Sequence, residues 1–249
     1  MIGLKWLLYK TLPPSSIVRL RALDYRLHSS KEHSLLSKLC NRTKPSVDVG
    51  ANLGILTYFL ARYSSHVYAY EPNPELAATL RLAFREKVTV IEAALSDVPG
   101  TVNLKIPTFG GHEMHGLASI AQDFKDAEDV REFSVRMRRL DDENLENIGF
   151  LKIDVEQNEE RVLRGAMQLI KKQKPNILLE VTPKLYSKSL QEFVADFLAL
   201  GYRCYFLYDR KLHNIEDYRM DIHNRSENHG IGDKYVTNVV LSREVLTSA

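Results

Sequence analysis

A doubly wound α/β sheet, mostly parallel with an antiparallel edge, is the fold this sequence predicts. Three observations predict it. From residue 46 onward short apolar runs alternate with segments of helical period. The first run ends in a glycine-bearing turn, Asp48-Val49-Gly50-Ala51-Asn52-Leu53-Gly54, which opens a helix. The last two runs, 204–207 and 236–241, have no helix-length pattern between them, as expected of an antiparallel pair at a sheet edge.

Each element has its own signal. Residues 1–45 form a helical extension, and 46–249 form the main domain. Pro13-Pro14-Ser15-Ser16 breaks a first helical pattern and supplies a cap for the next. Residues 47–49 form a strand, 54–64 a helix and 66–70 a strand. Pro74 starts a helix that reaches about Phe84. Residues 88–91 form the third strand, closed by Ser96-Asp97. Then the period changes to two. Val102-Leu104-Ile106 and Phe133-Val135-Met137 predict an antiparallel pair around a loop. Residues 150–155 return to a strand, followed by a helix over about 158–171. Residues 177–181 form a strand, and a helix over 187–200 is ended by Gly201. In such a sheet ligands bind at the carboxyl ends of the parallel strands.

Composition excludes several classes. The 249 residues are 44% hydrophobic and 27% charged, which rules out whole-chain disorder. Cys40 and Cys204 are the only cysteines, too few for a disulfide scaffold or a four-cysteine zinc site. No apolar run reaches the ~18–20 residues of a membrane span. Trp6-Leu7-Leu8 lacks a secretory h-region, so the chain reads as cytoplasmic, and Asn41-Arg42-Thr43 and Asn224-Arg225-Ser226 read as chance matches to glycosylation acceptors. The net charge of +2 hides an asymmetry. Residues 1–46 carry nine Lys/Arg and two Asp/Glu, or +7, which leaves −5 for the rest. An acidic body argues against a nucleic-acid partner. The basic start reads either as a solvated cap, packing Leu4, Trp6, Leu7 and Leu8 on the main domain, or as a weak membrane-surface contact through residues 1–26, peripheral at the inner face.

The glycine turn is not a dinucleotide fingerprint, because position 52 is Asn and 55 is Ile. It is no phosphate loop either, since no Lys or Arg lies between Gly50 and Leu60. Asp48 before the turn suits a ligand ammonium, and the helix start suits a carboxylate. Glu71, at the end of the second strand, can accept hydrogen bonds from both ribose hydroxyls. Asp97 can accept from an exocyclic amino group. Amino acid, ribose and adenine together describe S-adenosylmethionine. Taken alone, the glycine turn and Asp97-Val98-Pro99-Gly100 are also ordinary turn chemistry.

The sequence resembles the FkbM-type methyltransferases. The resemblance is carried by Val47-Asp48-Val49-Gly50-Ala51-Asn52-Leu53-Gly54, Tyr70-Glu71-Pro72-Asn73-Pro74, Ala94-Leu95-Ser96-Asp97, Leu140-Asp141-Asp142 and Leu151-Lys152-Ile153-Asp154-Val155-Glu156. It covers roughly residues 46–181. It implies a class I methyltransferase Rossmann-like sheet, S-adenosylmethionine as donor, and O-methylation of a hydroxyl on a carbohydrate, glycoconjugate or natural product. The cofactor would be held by Asp48, Gly50, Asn52, Gly54, Glu71, Pro72, Ser96 and Asp97. One position departs from the family, which usually has Gly where this chain has Gln157.

For transfer to an alcohol the protein must orient the hydroxyl and take its proton. Lys152, Asp154 and Glu156 alternate and so share a strand face, with Glu180 at the next strand end as partner for the lysine. The competing reading is a buried ion network that fixes the sheet. Asp154, Glu156 and Glu180 could also hold Mg²⁺, although the lysine already neutralises them in part, and no metal site is assigned. His112 and His115, in a loop with Gly110-Gly111 and Gly116, are alternative bases. The stretch 209–233, with His213, His223 and His229, is long enough to cover a substrate.

Overall fold

In the computed structural model, residues 12–28, 32–183, 188–228 and 234–246 are described. The first helical pattern, with Leu4, Trp6, Leu7 and Leu8, lies outside them, as does His229. Two helices open the described chain, α1 (Pro14–His28) and α2 (Glu32–Leu39). There follow β1 (Ser46–Val49), α3 (Ile55–Tyr63), β2 (Val67–Tyr70), α4 (Pro74–Ala83) and β3 (Val88–Ile91). The alternation resumes with β8 (Phe150–Ile153), α5 (Glu159–Gly165), α6 (Met167–Gln173), β9 (Asn176–Glu180), α7 (Leu190–Ala199) and β10 (Arg203–Tyr208). The chain closes with β11 (Lys211–Asn214), α8 (Met220–His223) and β12 (Asn238–Ser242).

The main sheet has the order β11-β10-β12-β9-β8-β1-β2-β3. The five strands β9, β8, β1, β2 and β3 are parallel, and β12 and β11 run antiparallel to their neighbours. The strand order reverses between β1 and β8, so a crevice opens at their carboxyl ends. Strands buried on both faces explain the near-continuous apolar runs of the sequence. One face packs Val47, Ile153, Leu179 and Phe206 against α5, α6 and α7. The other packs Phe150, Leu178 and Tyr205 against α1 to α4. The helix ends follow their caps. Asn73 accepts from the amides of Glu75 and Leu76, and Ser189 with Glu192 forms a capping box.

Four details differ from the sequence reading. First, Ser96-Asp97 does not close the third strand. The Ala93 amide turns back onto the Ile91 carbonyl, and β4 (Ala94–Leu95) leaves for a second sheet. That sheet, ordered β4-β7-β5-β6, contains β5 (Gly100–Phe109), β6 (His112–Glu113) and β7 (Asp129–Arg138). It holds the alternating pair expected from the period of two. Second, the helix expected over 158–171 is two helices broken at Ala166 (φ −113°). Third, the stretch 209–233 contains a strand. Asp209 and Arg210 both take positive φ (47° and 63°) in a two-residue hairpin turn, without the Gly or Asn that would announce one. Beyond it His213 and His223 pack on the Phe206 ring. Fourth, β8 ends at Ile153. Glu156 (φ 54°) and Gln157 (φ 75°) are both left-handed, so the alternation through residue 156 fails.

Two backbone positions generate predictions. A Cβ on Gly165 would lie 2.0 Å from the Ser96 carbonyl oxygen. Gly165→Ala should therefore cost about 2 kcal/mol through overpacking, the reverse of the ~1 kcal/mol gain that helix propensity alone would give. A raised melting temperature would contradict the close approach. Gln157→Gly should stabilise by about 1 kcal/mol, because glycine alone adopts its φ without strain. Urea denaturation of the two proteins side by side measures the difference.

Candidate active site

The crevice holds a cavity that is open to solvent. One end is the turn after β1. Gly50 and Ala51 donate their amides to the Tyr70 carbonyl at 3.0 and 3.1 Å, which fixes the turn against β2. A Cβ on Gly50 would fall 1.9 Å from the Asp154 carbonyl oxygen, so only glycine lets β1 and β8 close here. Asn52 takes φ 47° and turns its amide toward Glu71, whose Oε2 accepts it at 2.7 Å. The Asn73 amide donates to the other oxygen at 2.8 Å. Each carboxylate oxygen keeps a second lone pair for a ligand hydroxyl. Burial pushes the Glu71 carboxyl up to about 7, although both amides favour its ionised form.

Beneath the turn lies Lys152. Its register partner is Asp48, so the two side chains stand together on one face of the sheet. The ammonium donates to the Gly50 carbonyl at 2.9 Å. It lies 3.1 Å from Asp154 and 3.6 Å from Asp48. Burial opposes its charge, but Asp154 and Asp48 outweigh burial and raise its pKa. Asp48 is fully buried and also accepts from Thr57 at 2.5 Å. The lysine thus has partners other than Glu180, and Asp48 is one of them.

Asp154 and Glu156 line the cavity wall beyond β8. Burial, and then the negative charges of Asp154 and Glu159, push the Glu156 carboxyl up to about 7. Glu180 is raised as well, chiefly by the charge of Asp154 and then by burial and Glu32. Among the described residues no three His, Cys, Asp or Glu are grouped to hold a metal ion.

The segment after β6 crosses the cavity as a strap. On one side the His115 carbonyl accepts from the Asn52 amide group at 3.4 Å, and its Nδ1 meets Asn73 at 3.3 Å. On the other, Ser119 donates to the Glu156 carbonyl at 2.6 Å. Leu104, Ala118 and Ile120, together with Ala94, Leu95 and Val155, supply an apolar slot in the cavity lining. Asn158 stands in that slot and is 1% exposed. Its Nδ2 donates to the Leu95 carbonyl at 2.9 Å, while its Oδ1 has no hydrogen-bond partner among the described residues.

The structure therefore brings together Gly50, Asn52, Glu71, Pro72, His115, Asp154 and Glu156, all of which line the cavity. It keeps others apart. Asp48 and Lys152 lie below the turn and do not line the cavity, and Asp48 is paired with the lysine. Gly54 is a packing position, because a Cβ there would meet Leu80 at 2.6 Å and Phe84 at 2.8 Å. Ser96 is fully buried, and its hydroxyl donates to Asp97. Asp97 is held by Arg161 at 2.8 Å and Arg164 at 3.2 Å, outside the cavity. His112 is exposed on β6, and no described residue of 209–228 lines the cavity. Asn158 and the apolar slot went unread in the sequence. Their one signal was the polar residue two places after Glu156, and nothing in its spacing marked it.

An apolar slot with one orphaned acceptor, beside a buried carboxylate with free lone pairs, fits an adenosyl group. The Methyltransferase FkbM domain description matches residues 48–204. No curated protein sequence matches the chain. Among solved structures, an FkbM methyltransferase from Methylobacillus flagellatus KT shares 18% identity over 88% of this chain, with a TM-score of 0.48. This chain spans half the length of that one. A Streptococcus thermophilus rRNA methylase shares 12% identity over 84% of this chain and 91% of its own, with a TM-score of 0.42. M. capricolum TrmK, in complex with S-adenosylhomocysteine, shares 12% identity over 88% of this chain and 70% of its own, with a TM-score of 0.43. With more than half of its residues matched by the family description, the chain belongs to the FkbM methyltransferases, enzymes of the class I α/β fold that take their methyl group from S-adenosylmethionine.

Proposed function

We propose that the protein is an O-methyltransferase whose acceptor is a hydroxyl of a carbohydrate, glycoconjugate or natural product. The observation that carries this reading is Glu156, a carboxylate on the cavity wall with its pKa pushed up to about 7. A base of that strength takes a proton from a hydroxyl as the oxygen becomes a nucleophile, and loses it again to water near neutral pH. His115 suits this work less, because its ring and carbonyl are engaged in pinning the strap. His112 is exposed on β6, away from the cavity. The catalytic unit is residues 46–249, with 1–45 as an extension.

The cofactor, when bound, supplies the methyl group and the leaving sulfur. The chain supplies position and a proton acceptor. Glu71 accepts from the ribose hydroxyls. Asn158 Oδ1 accepts from the adenine amino group, the task the sequence reading gave to Asp97. Gly50 and Asn52 shape the turn for the amino acid end. Asp154, with its charge partly answered by Lys152, faces the transfer point, and Glu156 removes the acceptor proton. Glu156 would hold the proton that the acceptor oxygen gives up, and the cofactor would supply a sulfur able to depart with the carbon–sulfur electron pair. The absence of an aromatic residue in Asp154-Val155-Glu156-Gln157 disfavours a stacked base as acceptor.

Calorimetric titration tests the cofactor assignments. S-adenosylhomocysteine should bind at micromolar concentration and NAD⁺ should not. Glu71→Ala should weaken that binding by 1–3 kcal/mol, as expected for charge-assisted hydrogen bonds, and Asn158→Ala by about 1 kcal/mol. Unchanged affinity in either variant would remove that residue from the assignment. The base is tested by pH. Because the carboxylate must be ionised to act, kcat on a hydroxyl acceptor should fall as pH drops through about 7 and level off above it. Glu156→Gln should lower kcat by ~10²–10⁴-fold and abolish the inflection. An inflection that survives the substitution belongs to another group.

A further inference from the structure

The helix α1 turns an apolar face outward. Leu20 and Leu23 are 44% exposed and Leu27 is 76% exposed. Their i, i+3, i+7 spacing puts them within about 60° of arc on one side of the helix. The opposite side does the packing, with Val18 and Ala22 buried and Ala22 and Tyr25 in the core shared with α3. Single exposed leucines are ordinary, but three in a continuous stripe on one helix are a surface feature in need of a partner. Arg19 and Arg26 are exposed along one flank of the stripe. Asp24, on the other flank, is the only acidic residue in the α1 sequence. The first 46 residues carry +7 in all, while the remainder carries −5.

We propose that α1 docks the protein on an anionic lipid surface, with Leu20, Leu23 and Leu27 entering the acyl boundary and Arg19 and Arg26 meeting lipid headgroups. The charge selects this occupant over a second copy of the chain. A two-fold contact through the stripe would bring two strongly basic segments together. An anionic bilayer answers the same charges, each Lys or Arg near its surface being worth roughly fivefold in affinity. Among the described residues no helix is long and apolar enough to cross a membrane, so the contact lies in the interface plane.

The test uses the full chain and sedimentation with vesicles of phosphatidylcholine, alone or with phosphatidylglycerol. Binding should require phosphatidylglycerol and weaken with added salt. Leu20→Ser/Leu23→Ser/Leu27→Ser and Arg19→Glu/Arg26→Glu should each lower it by tenfold or more. Melting temperatures and S-adenosylhomocysteine affinity should be retained, because these side chains are exposed and far in sequence from the cavity lining. Absence of binding, equal binding to neutral vesicles, or binding untouched by the leucine variant overturns the proposal. So does light scattering that shows a dimer dissociated by the leucine variant, which would make the face a contact between copies. The S-adenosylhomocysteine titration keeps this separate from the cofactor reading, since either can fail while the other stands.

Discussion

A single ammonium group, Lys152 Nζ, ties together the parts of this protein that have to be held in place. It sits between Asp48 on β1 and Asp154 beyond β8, and it donates to the carbonyl of Gly50 at the turn between them. Burying a lysine is expensive unless opposite charge and hydrogen bonds surround it, and removing one partner of such a group typically costs about 3–5 kcal/mol. Here the lysine and both acids answer one another, so none can be removed alone. The strands they join flank the point where the strand order reverses. The same contacts that close the sheet therefore fix the Gly50 carbonyl and the Asp154 carboxylate at the edge of the crevice.

Above that base the cavity is crossed by a strap with two kinds of anchor. Side chains of Asn52 and Asn73 hold it at His115, and a hydroxyl, Ser119, holds it at the Glu156 carbonyl. Asn52 and Asn73 also give their backbone amides to Glu71. A shift of the strap at either end would disturb residues that line the cavity. Binding groups held by packed neighbours keep their geometry and lose little entropy when a ligand arrives.

Much of this was legible in the sequence, and what was not has physical reasons. The alternation from β1 to β9 could be read because buried parallel strands are almost wholly apolar and helices carry their caps. The glycine turn and Glu71 could be read because they stand at strand ends, where topology places ligands. Asp97 misled because a carboxylate near a turn does not announce that Arg161 and Arg164, some sixty residues on, will claim it. At Gly54 the missing side chain makes room for Leu80 and Phe84, which no local signal announces. Asn158 was silent because its role comes from one contact, to Leu95, made between segments that meet only in the folded chain. The hairpin at Asp209-Arg210 was silent because two L-residues take up the positive φ values that glycine usually supplies.

The carboxylates show why residue type alone could not separate structure from chemistry. Asp48, Asp154, Glu156 and Glu180 gather around β1, β8 and β9, and Lys152 is the only cation within ion-pairing distance of any of them among the described residues. It takes Asp48 and Asp154, the two whose oxygens it reaches. Glu156 and Glu180 are beyond its ion-pairing reach; burial and then the charge of Asp154 raise Glu156, and the charge of Asp154 and then burial raise Glu180. Asp48 is buried beside its lysine partner and thereby becomes part of the scaffold. Glu156 has no ion-pair partner among the described residues, and on the cavity wall its burial favours the protonated form. The ion network and the candidate base are thus one arrangement. The lysine pairs with two of the acids and its charge also lowers the Glu156 pKa, but burial and the charges of Asp154 and Glu159 outweigh it and leave Glu156 as the candidate base.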